Sequence, residues 1–117
     1  MPAIVFDLGG THFRCALALM PPTHPHFSFA HKVHRRIPNF LTASSGTKIW
    51  DGVLGLITEY VSSVAKMAGS AAPVVIGFPG PVGSDGRIVA APTIAGKHDS
   101  IPDLLAVVPQ PAGLRIY

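Results

Sequence analysis

The sequence predicts an α/β fold: a mixed sheet with an antiparallel hairpin side and a crossover helix. Three observations predict it. A short apolar run, Ala3 to Leu8, ends in Gly9-Gly10 and resumes at once as a second alternating run. A long segment after residue 46 repeats its apolar residues every three or four positions. A buried-type run, Pro73 to Phe78, follows that segment. Period-two runs read as strands and period-3.6 runs as helices. A strand regained after a helix favours a parallel neighbour.

Each element follows in order. Ala3 to Leu8 reads as a buried strand entering the turn Asp7-Leu8-Gly9-Gly10-Thr11. Phe13 to Met20 alternates Cys15, Leu17 and Leu19 against Arg14, Ala16 and Ala18, completing a hairpin. Pro21 to Pro25 is a turn. Phe27 to Ile37 reads as a third strand with Phe27, Phe29, His31 and Val33 on one face. Its charges suit a sheet edge. Pro38 to Gly46 is a loop. Trp50, Val53, Leu54, Ile57, Val61, Val64 and Ala68 mark the clearest helix, with Thr47 as N-cap and Gly69 as its stop. Gly52 and Gly55 weaken that helix, and close packing on the sheet accounts for them. Beyond Phe78, Ser84 to Arg87 is a turn and Ile88 to Ala90 a short strand. Asp99 to Val107 is a weaker helix with Ser100 as cap, and Leu114 to Tyr117 begins a last strand. A core strand with nothing after it suggests a cut chain.

Composition narrows the function. The chain has 117 residues, enough for one core, with 48% hydrophobic and only 13% charged residues. So little charge on a small domain points to apolar surface that belongs against something else. The net charge is +3, and the densest basic group is Lys32, Arg35 and Arg36. Without a basic stripe and stacking aromatics it reads as a solvated strand face, and no nucleic-acid partner is expected. Cys15 is the single cysteine, so no internal disulfide forms, in keeping with a reducing cytoplasm. The N-terminus has no signal-peptide pattern. Ala71 to Ser84 is broken by Pro73, Pro79 and Pro81, so no membrane span is expected. His24, His26, His31 and His34 complete no zinc pattern with Cys15.

Two motifs carry chemistry. In Asp7-Leu8-Gly9-Gly10-Thr11 the glycines let the backbone approach a ligand and aim N–H groups at phosphate oxygens. Thr11 adds a hydroxyl, and Asp7 at a strand end suits Mg²⁺ or its waters. Gly-Gly is equally a plain hairpin signal. No Gly-Lys-Ser/Thr follows, so this is not a Walker A loop. A strand follows the glycines, so it is not a dinucleotide fingerprint. The second motif, Ile76 to Val82, is a glycine–proline loop at the end of a buried strand, where ligands sit in open α/β sheets. It also reads as a rigid connection with no ligand.

Asp7 to Leu17 resembles the first phosphate motif of bacterial glucokinases and the related ROK (repressor, open reading frame, kinase) family of the actin-like ATPase and sugar-kinase superfamily. Gly77-Phe78-Pro79-Gly80-Pro81-Val82, Gly86-Arg87-Ile88 and Ala91-Pro92-Thr93-Ile94 resemble that family's sugar-side loop and the segment after it. The resemblance implies the RNase H-like N-terminal lobe of an ATP- and Mg²⁺-dependent hexokinase, with glucose first among hexoses. It implies Asp7, Gly9, Gly10, Thr11 and Arg14 at the phosphates, Asp7 at the metal, and Gly80, Pro81 and Thr93 beside the sugar. Many relatives carry Asn where Thr93 stands. The family's Asn-Asp pair, whose Asp is the general base, normally follows the strand that starts at Leu114, as does the adenosine-binding lobe. The chain alone is therefore expected to be inactive. Asp85 and Asp99 read as local turn and cap carboxylates, not as replacement bases. A family repressor would need a helix-turn-helix before Asp7, and an actin-like or chaperone ATPase would not need the Gly77 to Val82 loop. The other reading is a non-catalytic ligand-binding or interaction module.

Overall fold

A computed structural model describes residues 2–19, 28–39, 41, 46–69, 72–96, 101–107 and 114–116. Five strands form one mixed sheet: β1 (Ala3–Leu8), β2 (His12–Leu19), β3 (Ser28–Arg36), β4 (Val74–Gly77) and β5 (Leu114–Ile116), in the order β3-β2-β1-β4-β5. β1 to β3 pair antiparallel, while β4 runs parallel to β1 and β5 parallel to β4. The helix α1 (Gly46–Ala68) joins β3 to β4 and contacts β1 and β2.

Strand alternation places the core. Ile4, Phe6 and Leu8 of β1 are buried, as are Phe13, Cys15 and Leu17 of β2. α1 covers this face with Ile49, Val53, Ile57, Tyr60, Val61 and Val64, and the Phe6 and Tyr60 rings meet edge-on at 5.5 Å. The opposite face carries Val5 and Asp7, cross-strand from Ala16 and Arg14.

The edge position of β3 agrees with its charges, but its face pattern is corrected. Two steps along β2, from Cys15 to Leu17, match three along β3, from Val33 back to Ala30. The extra residue is a bulge, with His31 at φ 50°. Phe29 therefore pairs with Ala18 while Val33 pairs with Cys15, and Phe29 is 52% exposed. The Tyr60 hydroxyl donates to the His31 carbonyl at 2.7 Å, which ties the bulge to α1.

Other boundaries also move. α1 already includes Thr47, so Thr47 is not its cap. Gly69 ends the helix with φ 84° and donates its N–H to the Ala65 carbonyl at 3.1 Å. Gly52 faces Pro38, whose Cγ would be 2.5 Å from an added Cβ, but Gly55 faces open space. Close packing thus explains one glycine and not the other. Ile88 to Ala90 forms only a bridge, Val82 to Ile88, in place of a strand. Two short helical turns follow, α2 (Pro92–Ala95) and α3 (Leu104–Val107). α3 begins at Leu104, where the Asp103 carboxylate accepts the Leu105 N–H. Residues Asp99 and Ser100, the turn from Pro21 to Pro25, His24, His26 and Phe27 lie outside the described residues.

Candidate functional site

Parallel pairing of β1 and β4 aligns their C-terminal ends, with Asp7 opposite Gly77. The two motifs, about seventy residues apart in sequence, thereby leave the sheet side by side. In open α/β sheets this is where ligands bind.

The first motif is a tight hairpin turn. The Gly9 N–H donates to the His12 carbonyl at 2.8 Å, and a Cβ at Gly9 would press on that oxygen at 2.9 Å. Gly10 lies against α2: a Cβ there would meet Thr93 Cβ at 3.0 Å and the Thr93 carbonyl at 3.1 Å. Glycine at this position is what lets the two motifs touch. Thr11 is exposed, its hydroxyl shares a 3.0 Å hydrogen bond with His12 Nδ1, and its carbonyl accepts the Ile37 N–H.

Asp7 and Arg14 are exposed and face one another across β1 and β2. Asp7, Gly9, Thr11, His12, Arg14 and His34 line a pocket of about 360 Å³. The ion pairs among the described residues join Arg35 to Glu59 and Arg87 to Asp85 and Asp103, so Asp7 takes part in none. A single open carboxylate beside backbone donors fits Mg²⁺, which keeps several waters and needs one or two carboxylates plus phosphate oxygens. Among the described residues no cluster of three His, Cys, Asp or Glu side chains could cage a metal.

The second motif is stiff and held from both sides. Phe78 is buried and its ring stacks on Trp50 of α1 at 6.4 Å. Gly80 passes so close to the Ala90 carbonyl that a side chain would collide with it. Val89 N–H donates to the Pro81 carbonyl at 2.9 Å. Thr93 is exposed, and its hydroxyl donates to the Pro79 carbonyl at 3.3 Å. Gly80, Pro81 and Thr93 thus form one rim beside Gly10. Asp85 accepts the Arg87 N–H inside its turn, as read from the sequence.

Sequence reasoning missed three neighbours of this site. His12 and His34 bring their rings to 5.1 Å beside Thr11 and Arg14. Asn39 is buried and donates its side-chain amide to the Gly10 carbonyl at 2.7 Å. Cross-strand register was the signal for the histidines, and only the β3 bulge sets it. Asn39 gave none, being one polar residue in a loop.

The fold is that of part of the sugar-kinase structures it matches. One is a protein from Cytophaga hutchinsonii assigned as a sugar kinase, with a TM-score of 0.68 and 18% identity over 99% of this chain. Another, from Listeria monocytogenes and assigned as an N-acetylmannosamine kinase, gives 0.56 and 20% over 80% of the chain. A third is the inorganic polyphosphate/ATP-glucomannokinase of Arthrobacter sp. strain KM, at 0.58 and 18% over 99%. The chain spans 35%, 27% and 42% of the lengths of these proteins. No family model and no curated protein sequence matches it. Among the described residues no helix is long and apolar enough to cross a membrane.

Proposed function

We propose that this chain is the RNase H-like N-terminal lobe of a ROK-family, glucokinase-like hexokinase, with α1 as its crossover helix. The observation that carries the reading is the contact between Gly10 and Thr93. It puts an anion-binding type of turn directly against a rigid rim suited to a polar ligand.

In this reading ATP phosphates lie along Gly9, Gly10 and Thr11. Arg14 offsets their charge from the neighbouring strand, and Asp7 would hold Mg²⁺ or its waters. When bound, the ion neutralises phosphate charge. Gly80, Pro81 and Thr93 border the hexose, glucose being the first candidate. The sugar hydroxyl then lies near the terminal phosphate, as in-line transfer requires. That transfer needs a carboxylate to take the hydroxyl proton. Asp85 and Asp103 accept backbone N–H groups in their own turns, and Asp7 serves the phosphate side. We assign the base to none of these three and expect the chain to bind without turning over. Cytoplasmic sugar breakdown is the setting this activity would serve.

Calorimetric titration with MgATP and glucose tests the reading. Saturable MgATP binding that Asp7→Ala weakens at least about tenfold supports it. Equal binding by both proteins removes Asp7 from the site.

A second reading is a non-catalytic module that pairs with another chain or copy. It is favoured by the sheet face away from α1, where Val5, Ala16 and Phe29 line a hollow of about 570 Å³.

A further inference from the structure

Asn39 is the buried polar side chain of the described core, 4% exposed. Its two ends are distinguished by their partners. The carbonyl oxygen accepts the Leu41 N–H at 2.9 Å, so the amide nitrogen is the end that donates to Gly10 at 2.7 Å. The neighbouring Pro38 packs on Gly52 of α1, which fixes where Asn39 leaves the helix surface.

The consequence lies one peptide further. No described peptide is cis, and in a trans peptide C=O and N–H point in opposite directions. Holding the Gly10 carbonyl toward Asn39 sends the Thr11 N–H away from Asn39; Thr11 borders both the hollow on the Asn39 side and the pocket lined by Asp7 and Arg14. The turn has already used the Gly9 N–H on His12 and the Thr11 carbonyl on Ile37. Among the described residues this leaves the Gly10 and Thr11 N–H groups for an anion. Glycine also makes the Gly10–Thr11 peptide easy to flip. A flipped peptide would present a carbonyl oxygen to phosphate oxygens, which repel it.

We infer that Asn39 is a positioning residue of the phosphate turn, locking the Gly10–Thr11 peptide with its N–H toward a linear oligophosphate such as the tail of a nucleoside triphosphate. The inference rests on the phosphate reading proposed above and adds a residue that touches no ligand.

The test uses the full chain and inorganic tripolyphosphate with Mg²⁺ as probe. Asn39→Asp keeps the shape but sets an oxygen against the Gly10 carbonyl, and Asn39→Ala removes the donor. Calorimetry gives affinity, thermal unfolding gives stability, and the ¹⁵N–¹H signal of Thr11 reports the peptide in the unliganded protein. The expected result is a shifted Thr11 signal and binding at least about tenfold weaker in the folded variants, Asn39→Asp being the worse. A purely structural role would lower the melting temperature yet leave the Thr11 signal and the folded protein's affinity in place. Binding within about twofold of the parent by either folded variant overturns the inference. Should Asn39→Asp not fold, Asn39→Ala decides alone. A parent protein that binds no tripolyphosphate overturns the phosphate reading itself, and the inference with it.

Discussion

Gly10 and Cys15 show how single residues set the limits of this site. Replacing Gly10 with alanine puts a methyl at 3.0 Å from Thr93 Cβ and 3.1 Å from its backbone oxygen. The α2 segment must then move, at a cost of about 1–3 kcal/mol for overpacking. Chemical denaturation of Gly10→Ala should show that loss, together with weaker MgATP binding. Cys15 lies in the core under α1. Burial pushes its thiol up to about 12, against the opposing pull of Arg35. Burial, with Cys15 as a lesser cause, takes the Tyr60 hydroxyl to about 12 as well. Between their ordinary values of 9.0 and 10.0 and about 12, the unfolded chain binds fewer protons than the folded one. Stability is therefore complete below pH 9 and falls as pH rises toward 12. Melting temperature followed from pH 8 to 11 should stay level and then drop, and Cys15→Ala should delay the onset. Native Cys15 should also resist alkylation at pH 8, where the unfolded chain reacts. At this scale the sequence shows the glycines and Asp7 plainly. Asn39 and the His12–His34 pair were hidden because their roles depend on chain segments far apart in sequence.

At the scale of elements, α1 offers a paired comparison. Gly52 and Gly55 look alike in sequence, and both interrupt a periodic helix. Gly55 is exposed with no atom near an added Cβ, while Gly52 sits against the Pro38 ring. Gly55→Ala should stabilise by about 0.5–1 kcal/mol through helix propensity. Gly52→Ala should destabilise by about 1–3 kcal/mol, because a proline ring has little freedom to yield. Urea unfolding of the two variants should give shifts of opposite sign. The strands and α1 were legible because β1 and α1 bury one regular face and β2 alternates large and small residues, although Cys15 to Ala18 are all buried. The face of β3 was not, since a bulge at His31 breaks the alternation and is held from outside by Tyr60. The short turns α2 and α3 have four residues each, too few for a period to appear.

For the whole molecule, α1 covers one sheet face, and among the described residues no helix covers the other. Phe29, half exposed, stands over this second face with Val5 and Ala16 nearby. An apolar surface of this kind tends to find a partner. We expect the chain to self-associate at micromolar concentration, and sedimentation velocity should show Phe29→Lys shifting it toward the monomer. The same face suits the low charge of the sequence.

On the function proposed above, the Gly9–Gly10–Thr11 turn and the Gly80–Pro81–Thr93 rim form one site with a phosphate side and a sugar side. Amide chemical-shift mapping tests it most directly, with a non-hydrolysable MgATP analogue and glucose added in turn. The nucleotide should move the signals of Gly10, Thr11 and Arg14, and glucose those of Gly80 and Thr93. Each ligand should also perturb the other's set through the contact of Gly10 with Thr93. Shifts confined to the sheet face around Phe29, or none at the turn with saturating nucleotide, would contradict it.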